Sequence, residues 1–251
     1  MRRAFLFMAM ALALAAAWPG AASAQSMLDR LSQDELGSIE PGTYLAGDSL
    51  KFTLDQVDKH LLLRFEGVPE VFVLYSDPGI MGGRVLKYDS GETALRVTGT
   101  GGITIYTDAQ PDGLPAARTG DSLPPALPQI SLTDMQNAAQ DETEHLAYVR
   151  DLRLTFGADW GALANDANQR ALAFDTMENA ARGIERFAAQ AGQRQQLAHN
   201  ADSVFVAAAG KPTLALKGRT LVVTFNPGEN YVGRASSRAI ARALEKVLPR
   251  K

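Results

Sequence analysis

Cysteine is absent from all 251 residues, which excludes disulfides, thiol nucleophiles and thiolate metal sites and leaves packing and hydrogen bonds to stabilise the fold. Histidine is nearly as scarce. With only His60, His145 and His199, the one grouping at helical spacing, Asp141, Glu142 and His145, reads as a charged helical face rather than a metal site. The sequence implies no metal and no other cofactor. A large excess of positive charge is also lacking: the chain carries −3, and losing Arg2 and Arg3 with a leader would make it more acidic still. General affinity for nucleic acid is therefore not expected. Long apolar runs are confined to one place, Ala4 to Trp18, which is short for a membrane span and is broken by Pro19 and Gly20.

What is present at the N-terminus has the form of an export signal. Arg2 and Arg3 precede the apolar run, and Ala22-Ser23-Ala24 supplies a small-residue exit, so residues 1–24 read as a signal peptide cleaved near Ala24. The expected location is the periplasm or the exterior, with no transmembrane segment in the mature chain and no cysteine to carry a lipid. Arg2-Arg3-Ala4-Phe5-Leu6 is similar to a twin-arginine core, although so short a basic segment suits general secretion, and the route stays open.

The fold class expected is α+β. An amphipathic stretch covers Ser26 to Leu36, and residues 25–110 form a β-rich region. Leu50, Phe52 and Leu54 alternate with Lys51, Thr53 and Asp55, and Leu61, Leu63 and Phe65 with His60, Leu62 and Arg64, while Val71–Tyr75 reads as a central strand. Val85–Tyr88, Leu95–Val97 and Ile103–Tyr106 continue the series, separated by Gly-, Asp- and Pro-bearing turns. About seven short strands without a helical crossover predict an antiparallel sandwich or small barrel.

Residues 111–130, with five prolines, read as an extended Pro-rich loop. The remaining part, 131–251, is predicted to be helical with a β-hairpin and a C-terminal basic helix. Ser131 and Asp134 mark a helix start running to about Leu152, and a second helix spans about Asn165 to Gln190 with Gly192 as its stop. Strands follow at Ser203–Ala207, Leu214–Lys217 and Leu221–Phe225. A last helix begins at Ser236 or Ser237 and buries Ile240, Leu244, Val247 and Leu248. The hairpin either extends the first sheet or forms a small second one.

Several motifs invite chemistry and do not sustain it. Gly-Asp-Ser-Leu occurs at Gly47–Leu50 and Gly120–Leu123, but neither Glu142-x-x-His145 nor Gln196-x-x-His199 supplies the Asp-x-x-His of that serine-esterase pattern, so turn chemistry explains both. Gly210-Lys211-Pro212-Thr213 lacks the upstream glycine of a phosphate loop, and Pro212 removes an amide such a loop needs. Tyr75, Tyr88 and Tyr106 are candidates for lining a pocket, with core packing the simpler reading. No catalytic residue is assigned.

One feature departs from an ordinary surface. Arg234, Arg238, Arg242, Lys246 and Arg250 recur every four residues at the C-terminus, opposed there only by Glu245, and should form one stripe whose like charges repel. Either acidic groups inside the fold offset it, with the surface of residues 134–151 as the expected source, or it contacts an anionic envelope component or an acidic protein.

Phe65-Glu66-Gly67, Pro69–Leu74, Gly83–Asp89, Gly101–Asp108 and Gly113–Ala116 together resemble an uncharacterised family of exported proteobacterial proteins, a domain of unknown function. The resemblance implies no activity and no site residues. The expectation from the residues is a non-enzymatic envelope or periplasmic binding or assembly module; the alternative is a periplasmic hydrolase using paired carboxylates in a cleft.

Overall fold

The computed structural model describes residues 39–248; the signal peptide, the Ser26–Leu36 stretch and Arg250 lie outside them. The first part is a closed antiparallel barrel of eight strands in sequence order, settling the choice between sandwich and barrel. Its strands are β1 (Gly42–Ala46), β2 (Leu50–Val57), β3 (His60–Phe65), β4 (Val71–Pro78), β5 (Arg84–Tyr88), β6 (Thr93–Val97), β7 (Ile103–Thr107) and β8 (Gln110–Gly120). Alternation places Phe52, Leu54, Leu61, Leu63, Leu74, Leu86, Leu95 and Ile105 inside, all buried. Aromatic rings continue the filling: Tyr44 stacks on Phe52 at 5.3 Å, and Phe72 meets Tyr88 edge-on at 5.2 Å. The interior is a packed core.

Closure comes from β8, which pairs with β7 on one side and β1 on the other. Residues 111–120, expected as part of a proline loop, are therefore strand. Pro111 lies beside the register shift between Ile105 and Thr107, where an amide donor is not called for, and the strand contributes so few apolar residues that no period-two signal marks it. Only residues 121–131 keep the extended, irregular character expected of the whole loop.

The second part is a mixed sheet covered by helices. In chain order come α1 (Leu132–Arg150), β9 (Thr155–Ala158), α2 (Trp160–Leu163), α3 (Ala167–Phe187), α4 (Ala191–Asn200), β10 (Ser203–Ala208), β11 (Thr213–Lys217), β12 (Thr220–Phe225) and α5 (Ser237–Val247). The sheet order is β11-β12-β10-β9. β10 runs parallel to both β9 and β12, while β11 and β12 form the expected hairpin, so the hairpin belongs to a second sheet. Val204, Val206, Leu221, Val223 and Phe225 pack with Leu172, Met177 and Ile184 of α3 and Ile240 and Leu244 of α5 in one buried cluster.

Two elements depart from expectation here. Gly192 does not stop α3, which already ends at Phe187; it lies in the first turn of α4, a helix whose one buried side chain is Leu197. β9 is four residues long and was not anticipated.

Candidate functional site

The two parts meet where α5 begins. Strand directions put the β3–β4, β5–β6 and β7–β8 turns at one end of the barrel, and each supplies a carboxylate to the helical part: Glu70, Asp89 with Glu92, and Asp108. The Glu70 carboxylate accepts the Ser237 amide at 2.7 Å and its hydroxyl at 2.6 Å. Asp89 accepts the Ser236 amide at 2.7 Å. Both acids thus cap the positive end of α5, with the Ser236 hydroxyl accepting from Ala239 as the helix's own cap. Burial pushes both carboxyls up; the serine bonds and Arg234 oppose that rise.

Arg234 is 3% exposed. Its guanidinium abuts Asp175 of α3, donates to the Val71 carbonyl at 2.7 Å and lies over the Tyr231 ring. Burial brings it down to about 10, opposed by Glu70 and Asp89, so it stays cationic at neutral pH. Arg238 spans Glu92 and Asp108, both at 2.7 Å, above the Tyr88 ring. Arg242 donates to the Ser90 carbonyl. The basic stripe therefore turns toward the barrel: its first three arginines bind barrel and α3 groups, not the 134–151 surface, while Lys246 is exposed.

Beside this junction a groove runs along α3 beneath the β3–β4 turn. It has two adjoining clefts, of ≈ 450 Å³ and ≈ 470 Å³, which share Phe65, Val68 and Arg182. Helical spacing explains its floor, because Phe174, Glu178, Arg182 and Glu185 fall on one stripe of α3, with Ala189 just beyond the helix end. Its roof is apolar, from Phe65, Val68, Phe72 and Val71, with Pro125 and Pro128 at the side. Arg150, Arg182, Arg186 and Arg238 all face the first cleft, against Glu70 and Glu185.

Behind Glu178, which lines the second cleft, α1 brings Glu142 against it. Burial and the facing Glu178 push the Glu142 carboxyl up to about 7, while His145 and Arg182 pull the other way. Arg182 donates to Glu178 at 2.5 Å, and Arg150 to Glu185 at 3.0 Å with His145 at 3.7 Å. Asp141, Glu142 and His145 do share a helix, but among the described residues no group of three His, Asp or Glu is placed to hold a metal.

The remaining candidates lie apart. Tyr88 and Tyr106 line a small cleft of ≈ 330 Å³ with Arg96 and Arg238, whereas Tyr75 sits edge-on to His60 at 5.3 Å elsewhere on the barrel. Ser122 of the second Gly-Asp-Ser-Leu donates to buried Asp55 at 2.5 Å, and Arg64 donates to the same carboxylate at 2.7 Å. The Ser122 hydroxyl is thus held by the Asp55 carboxylate, and Arg64, which also donates to the Leu123 carbonyl at 2.7 Å, completes a structural latch for residues 121–123. Sequence reasoning missed Glu70, Asp89 and the Glu142–Glu178 pair; Glu178 and Arg182, one helical turn apart in the sequence, are a signal that could have pointed at the groove.

A family model described as a domain of unknown function, DUF4908, matches residues 23–244. No curated protein and no solved structure matches.

Proposed function

The chain belongs to the DUF4908 domain family, and from that premise we propose that it is a non-enzymatic binding module of the cell envelope, reached after export and cleavage near Ala24. Its groove takes an elongated ligand with an acidic head, carboxylate or phosphate, and an apolar body. The observation that carries this reading is the groove's two-sidedness: four arginines face its first cleft beneath an apolar roof. The barrel interior is filled with side chains, which leaves the space between the parts for a ligand.

Laurate and dodecyl phosphate are suitable probes. Either should raise the melting temperature saturably, with dodecanol doing less, and Arg182→Gln should remove the difference between anionic and neutral probes. No shift with any of the three would overturn the groove reading. Export is checked separately: cell fractionation should recover a chain beginning at Gln25 outside the cytoplasm, and an untruncated cytosolic chain would sink that part.

A second reading rests on the facing carboxyl groups of Glu142 and Glu178, the first of them pushed up to about 7 by burial and by its neighbour. On it the protein is a hydrolase, with Glu142 the acid and Glu178 the base. Turnover of chromogenic esters, glycosides or phosphates that is abolished by Glu142→Gln would favour it over simple binding.

A further inference from the structure

At the barrel end opposite the helical part, the β4–β5 and β6–β7 turns form an apolar prominence. Ile80 and Met81 stand at its tip, 89% and 92% exposed. Two adjacent apolar side chains so fully in water are unusual, and Met81 also adopts a left-handed backbone, φ 54°, which a glycine would occupy with less strain. Neighbouring positions are glycine, so the strain is not for want of an alternative.

The tip is rigidly held. The Gly79 amide donates to the Gly83 carbonyl at 2.8 Å, and the Gly83 amide to the Ile80 carbonyl at 3.0 Å. A side chain at Gly83 would meet the Val97 carbonyl oxygen at 2.5 Å, and one at Gly99 the Met81 carbonyl oxygen at 2.6 Å. Backbone packs directly on backbone between the two turns, which fixes Ile80 and Met81 pointing outward instead of letting them fold back onto Val85 and Val97.

Charge around the tip has one sign. Arg84 and Arg96 line a cleft of ≈ 860 Å³ beside Ile80 and Met81, and among the described residues no carboxylate lines it. The nearest acid along the chain, Asp77, is paired with Lys87 at 2.7 Å. Arg96 also lies over the Tyr106 ring.

We propose that this prominence docks the protein on an anionic lipid surface, Ile80 and Met81 entering the headgroup boundary while Arg84 and Arg96 meet lipid phosphates. Two nearly fully exposed apolar side chains flanked by two arginines fit a bilayer boundary better than they fit a flat protein face. Docking in this orientation turns the helical part and its groove away from the membrane. The inference does not depend on the groove's ligand.

The test is flotation with vesicles, using a chain that begins at Gln25 so that Ala4–Trp18 cannot itself partition. The wild type should float with phosphatidylglycerol vesicles at low salt, less as salt rises, and weakly with phosphatidylcholine alone. Ile80→Ser combined with Met81→Gly should weaken flotation about tenfold or more, with an unchanged circular dichroism spectrum and a melting temperature no lower than wild type. Arg96→Gln should weaken binding to the anionic vesicles only. Absence of wild-type binding at low salt, or equal flotation of the double variant, overturns the proposal. So does sedimentation showing that the double variant loses a concentration-dependent dimer, because the tip would then be a self-association surface.

Discussion

Arg234 is the residue on which the junction turns. A buried guanidinium without partners would be untenable, and this one has Asp175, the Val71 carbonyl and the Tyr231 ring around it. Replacing it with Met keeps the volume but leaves Asp175 facing nothing and strips Glu70 and Asp89 of their neighbouring cation. Stability measured by urea denaturation should fall by about 3 kcal/mol, the range for breaking rather than replacing a buried pair; a loss under about 1 kcal/mol would show that water reaches the site. Glu142 acts in the opposite sense. Its folded carboxyl titrates near 7, above the ordinary 4.5, so the folded chain holds a proton that the unfolded chain has released. Stability from this group is complete below pH 4.5 and disappears as pH rises through about 7. Glu142→Gln keeps the hydrogen bond to Glu178 without the charge, and should exceed the wild type at pH 8 by about 1 kcal/mol once solvent screening of this half-exposed group is allowed for. Melting curves of both proteins between pH 5 and pH 8 decide it: parallel profiles would show that Glu142 does not titrate in this range.

At the scale of elements, α3 and α5 cross closely because Gly183 stands at the contact. A methyl group there would approach Ile240 Cβ at 2.7 Å and the Ser237 carbonyl oxygen at 2.8 Å. Helix propensity favours alanine over glycine by about 1 kcal/mol, yet the Ser237 carbonyl belongs to the first turn of α5 and is held by the Glu70 bonds, so it cannot yield. Gly183→Ala should therefore destabilise by about 1–3 kcal/mol despite the better helix former; a stabilised variant would mean that α5 shifts freely. Elements of this kind were legible in the sequence where burial imposes a period. β2 to β7, α1, α3, β10 to β12 and α5 all show theirs, and Ser131 and Ser236 mark helix starts through the caps they make. β8 and α4 carry few buried apolar residues and offered no period to read, and β9, although Phe156 and Ala158 alternate inward, is only four residues long. The site was harder for another reason. Glu70, Asp89 and Asp108 look like turn residues in sequence, and only the barrel's strand order brings all three to the end where α5 docks. The basic stripe was visible, but the acids that offset it come from the barrel, distant in sequence, rather than from α1.

Across the whole molecule, that junction decides whether barrel and helical part unfold as one. Each has its own apolar core, and what joins them is largely polar: two carboxylates on the α5 amides, Arg234, and Arg238 between Glu92 and Asp108. Hydrophobic contact across the boundary is modest, chiefly Leu62, Val71 and Val73 of the barrel against Tyr231. Polar bonds of this kind couple parts strongly only while buried and complete. The sequence supplies separate reporters. Without the first 24 residues Trp160 is the only tryptophan, and it packs against the helical core, whereas Tyr44 and Tyr88 sit within the barrel. Urea unfolding followed by tryptophan fluorescence and by near-ultraviolet tyrosine dichroism should give coincident transitions in the wild type, as a two-state system requires. Glu70→Ala with Asp89→Ala removes both carboxylate caps and leaves Arg234 less well paired, without touching either core. In that variant the curves should separate, the tryptophan signal moving to lower urea while the tyrosine signal moves less, because closure protects the barrel's strands independently of α5. Coincident curves displaced together would instead mean that the barrel cannot stand without the helical part, and that the polar junction is a component of one cooperative core.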